Sequence, residues 1–278
     1  MTANSKKTCN KIMAPSANNQ PGKVHRSFQR ALDTYAHNAH AQKAIAQRLV
    51  ELFMSTQPLH THYPRVLEFG CGTGFLTQSL TPYISADKAI LNDLVPNCEA
   101  FLKADYAQTQ QFIAGDIETI DLPQQLDLVC SASTIQWAQN PEHLLQKLAS
   151  KMTSDSYLLL SSFSTQHFVE LATLQQADSN NLSLSYWSAQ QWQTALEPFF
   201  KVNLIQHEPQ IMWFDSVRDI LLHLRLTGVN GNTRQTWSQQ KLMRFEQQYQ
   251  QQFQQNGRLQ LSYDPIYIIA QRHANADN

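Results

Sequence analysis

Four cysteines in 278 residues, at positions 9, 71, 98 and 130, are too few and too scattered for a disulfide framework or a zinc cluster. They point instead to a reducing, cytoplasmic setting. Long apolar runs are also missing: no segment reaches the ~20 consecutive apolar residues of a membrane span. Residues 1–24, rich in Asn, Ser, Ala and Lys, hold no apolar core of the kind a signal peptide needs, and are expected to form a disordered tail. Neither sign of charge dominates. With a formal net charge of -1 there is no global field to attract nucleic acid, and no basic stripe interleaved with aromatics suggests an RNA ligand. Internal repeats are absent too. Glycine is scarce, 8 in all, yet three of them stand within residues 70–74.

That stretch organises the rest. Residues 65–79, RVLEFGCGTGFLTQS, read as a buried strand (Val66, Leu67, Phe69), a glycine turn and a helix start over 75–80. A dinucleotide fingerprint is G-x-G-x-x-G, with a pyrophosphate on the helix N-terminus. Here Gly70, Gly72 and Gly74 give G-x-G-x-G after Glu68, the form found at S-adenosylmethionine sites. Glu68 can accept from the amino group of the methionine moiety, which carries no phosphate, and Cys71 rides on the same loop. A plain βα turn could carry the same glycines, so later features must decide. A second strand ends at Asn92-Asp93, which puts Asp93 where an acid can take both ribose hydroxyls, with Leu94 beside it. A third strand, 112–114, ends in Gly115-Asp116, where Asp116 can meet the adenine amino group and Ile117 can flank the ring.

Elsewhere the chain alternates strands and helices. Residues 126–132 and 157–163 read as the fourth and fifth strands, 200–205 and 266–270 as the last two. Asn140-Pro141 opens a helix, Pro96 another that is expected to run to about Tyr106. Between the fourth strand and its helix, the loop from Ser131 to Trp137 lies beyond a strand's carboxyl end, so Ser131, Gln136 and Trp137 are site candidates bordering the transferred group. At the front, Phe28, Leu32, Tyr35, Ala39, Gln42, Ala46, Leu49 and Phe53 form one stripe, predicting a single helix over 25–55. Tyr35 and Gln42 are polar on that stripe and are expected to face a ligand, as on a lid. Residues 206–260 are expected to form a helical insertion, with helices over 215–226 and 238–256.

The segments FQRALDTYAHNAHAQ, VLEFGCGTGFLT, AGDIE, SASTIQW, WFDS and LRLTGVNG resemble those of the malonyl-acyl-carrier-protein O-methyltransferases of biotin synthesis (the BioC family). Two departures stand out: Thr153-Ser154-Asp155-Ser156 replaces a Lys-Pro-Gly-Gly type turn, and Leu224-Arg225 replaces Leu-Lys. The resemblance implies an α/β class I methyltransferase fold, a Rossmann-like seven-stranded mostly parallel sheet with an N-terminal lid helix and a helical insertion. It implies S-adenosylmethionine as cofactor, no metal, and malonyl on acyl carrier protein, or malonyl-coenzyme A, as substrate. An arginine should pair with the malonyl carboxylate, with Arg225 and Arg218 as candidates. Arg218, Arg225, Arg234, Lys241 and Arg244 could form a basic face toward an acidic carrier protein. Two other readings stand beside this one. The chain could methylate another carboxylate or a carbon, or it could bind the cofactor without catalysis; intact Glu68, Gly70, Asp93 and Asp116 argue against the latter.

Overall fold

The computed structural model describes residues 25–26, 29, 32, 39–56, 61–103, 106–176, 186–227 and 238–274. Five strands run parallel: β1 (Arg65–Phe69), β2 (Ala86–Asp93), β3 (Ala107–Ala114), β4 (Leu126–Ala132) and β5 (Met152–Phe163). β6 (Phe200–His207) closes the far edge, and β10 (Pro265–Arg272) lies antiparallel between it and β5. The resulting order is β3-β2-β1-β4-β5-β10-β6. From β1 the chain winds outward in one direction to β2 and β3, then returns to build β4 and β5 on the other side. The crevice beyond the carboxyl ends of β1 and β4 is therefore the switch point at which such sheets bind ligands.

Alternating side chains divide the core between the two faces of the sheet. Val66, Leu128, Leu159 and Ile269 point to one side, where they pack with helix α1 (His40–Thr56), helix α2 (Phe75–Leu80) and the insertion. Leu67, Val129, Leu158 and Ile268 point to the other, against α3 (Pro141–Ala149) and α5 (Ala189–Leu196). Between these two helices in the chain lies α4 (Val169–Gln176). The side chain of Asn140 accepts from His143 N and so starts α3, while Ser188 and Gln191 form a reciprocal capping box at the head of α5.

Several boundaries differ from the sequence reading. The helix expected after Pro96 is a short 3-10 turn over Pro96–Phe101, and Tyr106 is a buried core residue beyond it. β5 begins at Met152 rather than 157, but its register with β4 slips between Leu126 and Leu128; Asp155 sits at φ 61° there, so 153–156 form a bulge where a turn was expected.

The single front helix is also corrected. Ala39 is not helical; its carbonyl accepts from Lys43 N as α1 begins. Hydrophobic periodicity reports which face is buried, not whether the chain is continuous. Moreover, Ile45, Ala46, Leu49, Val50 and Phe53 are core residues, and Arg48 clasps Glu208 with contacts of 2.7 to 2.9 Å. From His40 onward this segment is therefore a core helix, not a lid.

The insertion is not purely helical. Besides α6 (Val217–Leu226) and α7 (Gln239–Phe253) it contains a three-stranded antiparallel sheet of β7 (Gln210–Phe214), β9 (Arg258–Tyr263) and β8 (Gln254–Gln255). Its signal was present: Asn256-Gly257 between β8 and β9 has φ 51° and 79°, the two-residue hairpin that Asn-Gly favours.

Candidate active site

The site grows out of the turn after β1. Gly70 has φ +65°, and a Cβ there would lie 2.2 Å from Thr134 Cγ2 and Oγ1, so only glycine lets the loop after β4 close onto this turn. Gly72, at φ +52°, is different: a Cβ on it would meet nothing within 4 Å, leaving room against bare backbone. Its N–H donates to Asp93 Oδ2 at 2.9 Å, and Val95 N donates to Oδ1 at 2.8 Å, so Asp93 ties the end of β2 to the glycine turn. Burial raises the Asp93 pKa, partly offset by those two N–H donors.

A pocket opens at the carboxyl ends of four strands. Phe69 and Gly70 contribute from β1, Asn92 to Val95 from β2, Gly115 to Glu118 after β3, and Ser133, Thr134, Ile135, Trp137 and Ala138 after β4, without Gln136. Leu144 of α3 completes the wall. Asp93, Leu94, Asp116, Ile117, Gly70 and Trp137 were all legible in the sequence, and the fold brings them together. The side chain of Asp116 accepts from Glu118 N through Oδ1.

Other predicted residues are not among those that line this pocket. Glu68 is 1% exposed; its Oε2 accepts from Thr77 Oγ1 at 2.8 Å, while Oε1 has no hydrogen-bond partner. Burial, with the nearby Asp93 charge, pushes its pKa up to about 8 against the pull of Thr77. Gln42, on α1, is likewise buried with Oε1 unpartnered. Cys71 is buried, its thiol pKa pushed up by desolvation, and its N–H donates to Asn92 O. Gly74 caps α2 in the left-handed region.

Two candidates have commitments of their own. The Ser131 hydroxyl donates to Phe69 O at 2.7 Å across β4 and β1. Gln136 bonds the Ser133 carbonyl at 2.7 Å and lies 3.5 Å from the Ser162 hydroxyl. Arg225 is exposed in the last turn of α6, away from the pocket wall. Tyr35 and Arg234 lie outside the described residues.

Sequence reasoning missed Asn92, Glu118, Ser133 and Thr134. Asn92 donates to Ile113 O and Gly115 O, both at 2.9 Å, binding the ends of β2 and β3. Ser133 sits at φ 54° with its hydroxyl buried and unpartnered, a non-glycine strain of the sort that clusters at functional sites. Only that strained loop geometry, invisible in sequence, singles it out.

The chemistry of this lining is selective. Asp93, Asp116 and Glu118 make an acidic wall with Glu68 behind it, hostile to phosphate and suited to a cationic ligand. Two buried acceptors without donors, at Glu68 and Gln42, suit a ligand that brings N–H groups, and the open face of Gly72 gives it room. The residues thus fit S-adenosylmethionine, whose sulfonium supplies the activated methyl group when bound. Among the described residues no cluster of His, Cys, Asp and Glu could hold a metal ion.

Fold and pocket together define a class I S-adenosylmethionine-dependent methyltransferase. The methyltransferase-domain family matches residues 35–199, and solved structures share the fold. NodS, an N-methyltransferase from Bradyrhizobium japonicum in complex with S-adenosyl-L-homocysteine, superposes with TM-score 0.53 at 13% identity, covering 90% of this chain and 98% of its own. The [4+2]-cyclase SpnF superposes with TM-score 0.60 at 11% identity, over 95% and 99%. A cyclase on the same scaffold illustrates that fold alone does not decide the reaction.

Sequence relatives are more specific. The malonyl-[acyl-carrier protein] O-methyltransferase of Acinetobacter baylyi is 38% identical over 249 residues, covering 88% of this chain and 94% of the relative. That of Haemophilus influenzae is 30% identical over 257 residues, covering 92% and 96%. The chain belongs to the malonyl-[acyl-carrier protein] O-methyltransferase family.

Proposed function

We propose that this protein transfers the methyl group of S-adenosylmethionine to the free carboxylate of malonyl-acyl carrier protein. The observation that carries the reading is the acid-lined, phosphate-averse pocket at the β1/β4 switch point, in a chain whose relatives bear that acceptor in their name. In this reading Glu68 and Gln42 receive the amino-acid end of the cofactor, Asp93 the ribose and Asp116 the adenine. Thr77 holds the Glu68 carboxyl in place. Trp137 and Gln136 border the acceptor.

The reaction asks little acid–base chemistry of the protein. A carboxylate with a reference pKa near ~4 is already ionised at neutral pH, so no general base is required. The protein's task is to hold the acceptor oxygen in line with the methyl group and exclude water, and alignment of this kind can contribute roughly 7–11 kcal/mol. Methylation masks the malonyl charge, so that fatty-acid enzymes can extend the ester toward the pimeloyl chain of biotin.

Recognition of the acceptor carboxylate falls to Arg225. Arg218 is less suited because it lies 3.4 Å from Glu246, whereas Arg225, equally an exposed residue, forms no ion pair among the described residues. The carrier protein would dock on the charged face of α6 and α7, through Arg225, Arg244 and Lys241. A cytoplasmic setting is consistent with Cys71, Cys98 and Cys130, which are unpaired and buried. Among the described residues no helix is long and apolar enough to cross a membrane. The test is a methyl-transfer assay with malonyl, succinyl and acetyl thioesters on carrier protein and on coenzyme A. Malonyl should be strongly preferred and acetyl inert. Equal transfer to succinyl, or none to malonyl, would overturn the assignment.

A further inference from the structure

Lys147 lies near the end of α3, three residues beyond Leu144, so the two share a helix face, and Leu144 lines the pocket. Its ammonium is half-buried and donates to three backbone carbonyls: Ile117 at 2.9 Å, Glu118 at 3.2 Å and Ile120 at 2.5 Å. An ammonium has three donors, and these acceptors use all of them. Among the described residues no carboxylate forms an ion pair with it, and burial pushes its pKa below the ordinary lysine value. This is not a solvated surface lysine.

The carbonyls belong to the turn that carries Asp116. Thr119 N and Ile120 N both donate to Asp116 O, and a Cβ on Gly115 would lie 2.6 Å from Ile120 Cγ2, so the turn is folded tightly on itself. Glu118 then reaches across to the neighbouring wall. Its Oε2 accepts from Gln139 N at 2.7 Å and its Oε1 from Asn140 N at 2.8 Å, directly after the pocket residues Trp137 and Ala138. Lys147 thus holds the backbone of one wall, and Glu118 fastens that wall to the other.

We propose that Lys147, acting through the 116–120 turn and together with Glu118, is a positioning residue for the nucleoside end of the cofactor pocket. The inference rests on the S-adenosylmethionine reading of this site. Lys147 touches neither cofactor nor substrate; it holds Asp116 and Ile117 where the nucleoside meets them, and sets the backbone from which Glu118 ties to Gln139 and Asn140. An arginine is a poor replacement, because its planar fork cannot converge on three carbonyls as an ammonium does.

The test is calorimetric binding of S-adenosylhomocysteine and of adenosine to wild type, K147M, K147R and E118Q, alongside steady-state kinetics. Methionine keeps an unbranched stem and removes all three donors. K147M should weaken S-adenosylhomocysteine and adenosine by the same factor, roughly tenfold. Equal factors place the loss at the nucleoside end. The KM for S-adenosylmethionine should rise in parallel, while kcat and the KM for the malonyl thioester stay within about twofold. K147R should recover part of the loss. E118Q, which keeps one acceptor, should fall between wild type and K147M.

Hydrogen exchange at the amides of residues 116–120 should quicken in K147M and stay at the wild-type rate in the sheet. A folded K147M with wild-type affinity for S-adenosylhomocysteine would overturn the proposal, as would equal losses in the KM of both substrates. If K147M does not fold, E118Q decides: unchanged affinity and unchanged exchange overturn it. A wild-type protein that binds no S-adenosylhomocysteine would instead sink the cofactor reading itself.

Discussion

Replacing Glu68 by Gln probes the buried carboxyl directly. Its pKa stands at about 8 because the side chain is desolvated, and the bond from Thr77 only partly compensates. The free folded protein therefore binds this proton more tightly than the unfolded chain does. The stability this contributes is complete below pH 4.5 and is lost as pH rises through about 8. A change from 4.5 to about 8 corresponds to roughly 5 kcal/mol across that interval, and at 1% exposure no solvent screening reduces it.

Urea denaturation of the free protein at pH 6 and pH 8.5 should show wild type losing about 2–3 kcal/mol more than E68Q over that range. Binding makes a second, sharper prediction. An ammonium brought to Glu68 Oε1 favours the carboxylate, so the cofactor should expel a proton as it binds. Affinity should then rise by up to about tenfold per pH unit between pH 6 and pH 7. Calorimetry in two buffers of different ionisation enthalpy should find close to one proton released per S-adenosylhomocysteine at pH 6.5. In E68Q binding should weaken and the proton release vanish. A wild type that releases no proton, or an E68Q with the wild-type pH profile, would refute the argument.

Other substitutions test other parts of the site. Gly70→Ala forces a Cβ to within 2.2 Å of Thr134 at φ +65°, and should cost about 2–3 kcal/mol in urea denaturation, with part regained in G70A/T134G. Asp93→Ala removes the acceptor of both Gly72 N and Val95 N, so calorimetry should show weaker cofactor binding and thermal melting a loss of about 2 kcal/mol. Unchanged stability would mean the glycine turn holds itself. Arg225→Ala should raise the KM for the malonyl thioester with little effect on S-adenosylhomocysteine affinity; a loss of cofactor affinity instead would remove Arg225 from the acceptor side. Charge reversal at Arg244 should raise the KM for the carrier-bound substrate more than for malonyl-coenzyme A, increasingly at low salt. Equal effects on the two would place the docking face elsewhere.

The glycine spacing, the acid before it and the acids closing the next two strands determined the fold class and the cofactor, because these depend on local backbone needs written in a few adjacent residues. The apolar strand runs and the helix starts at Asn140-Pro141, near 215 and at 238 were legible for the same reason. What the sequence could not decide were relations between distant segments. One was that the front stripe divides at Ala39 and that its second half is held in the core by Arg48 and Glu208, 160 residues apart. Another was that Thr134 presses on Gly70. A third was that Lys147 and Glu118 brace the walls of the pocket. Periodicity records which side of a segment is buried, but the partner that buries it, and whether a polar atom there finds a donor, depends on packing in three dimensions. That packing leaves Glu68 Oε1 without a donor, where the sequence alone had placed an acid able to accept from an amino group but not whether the chain itself would satisfy it.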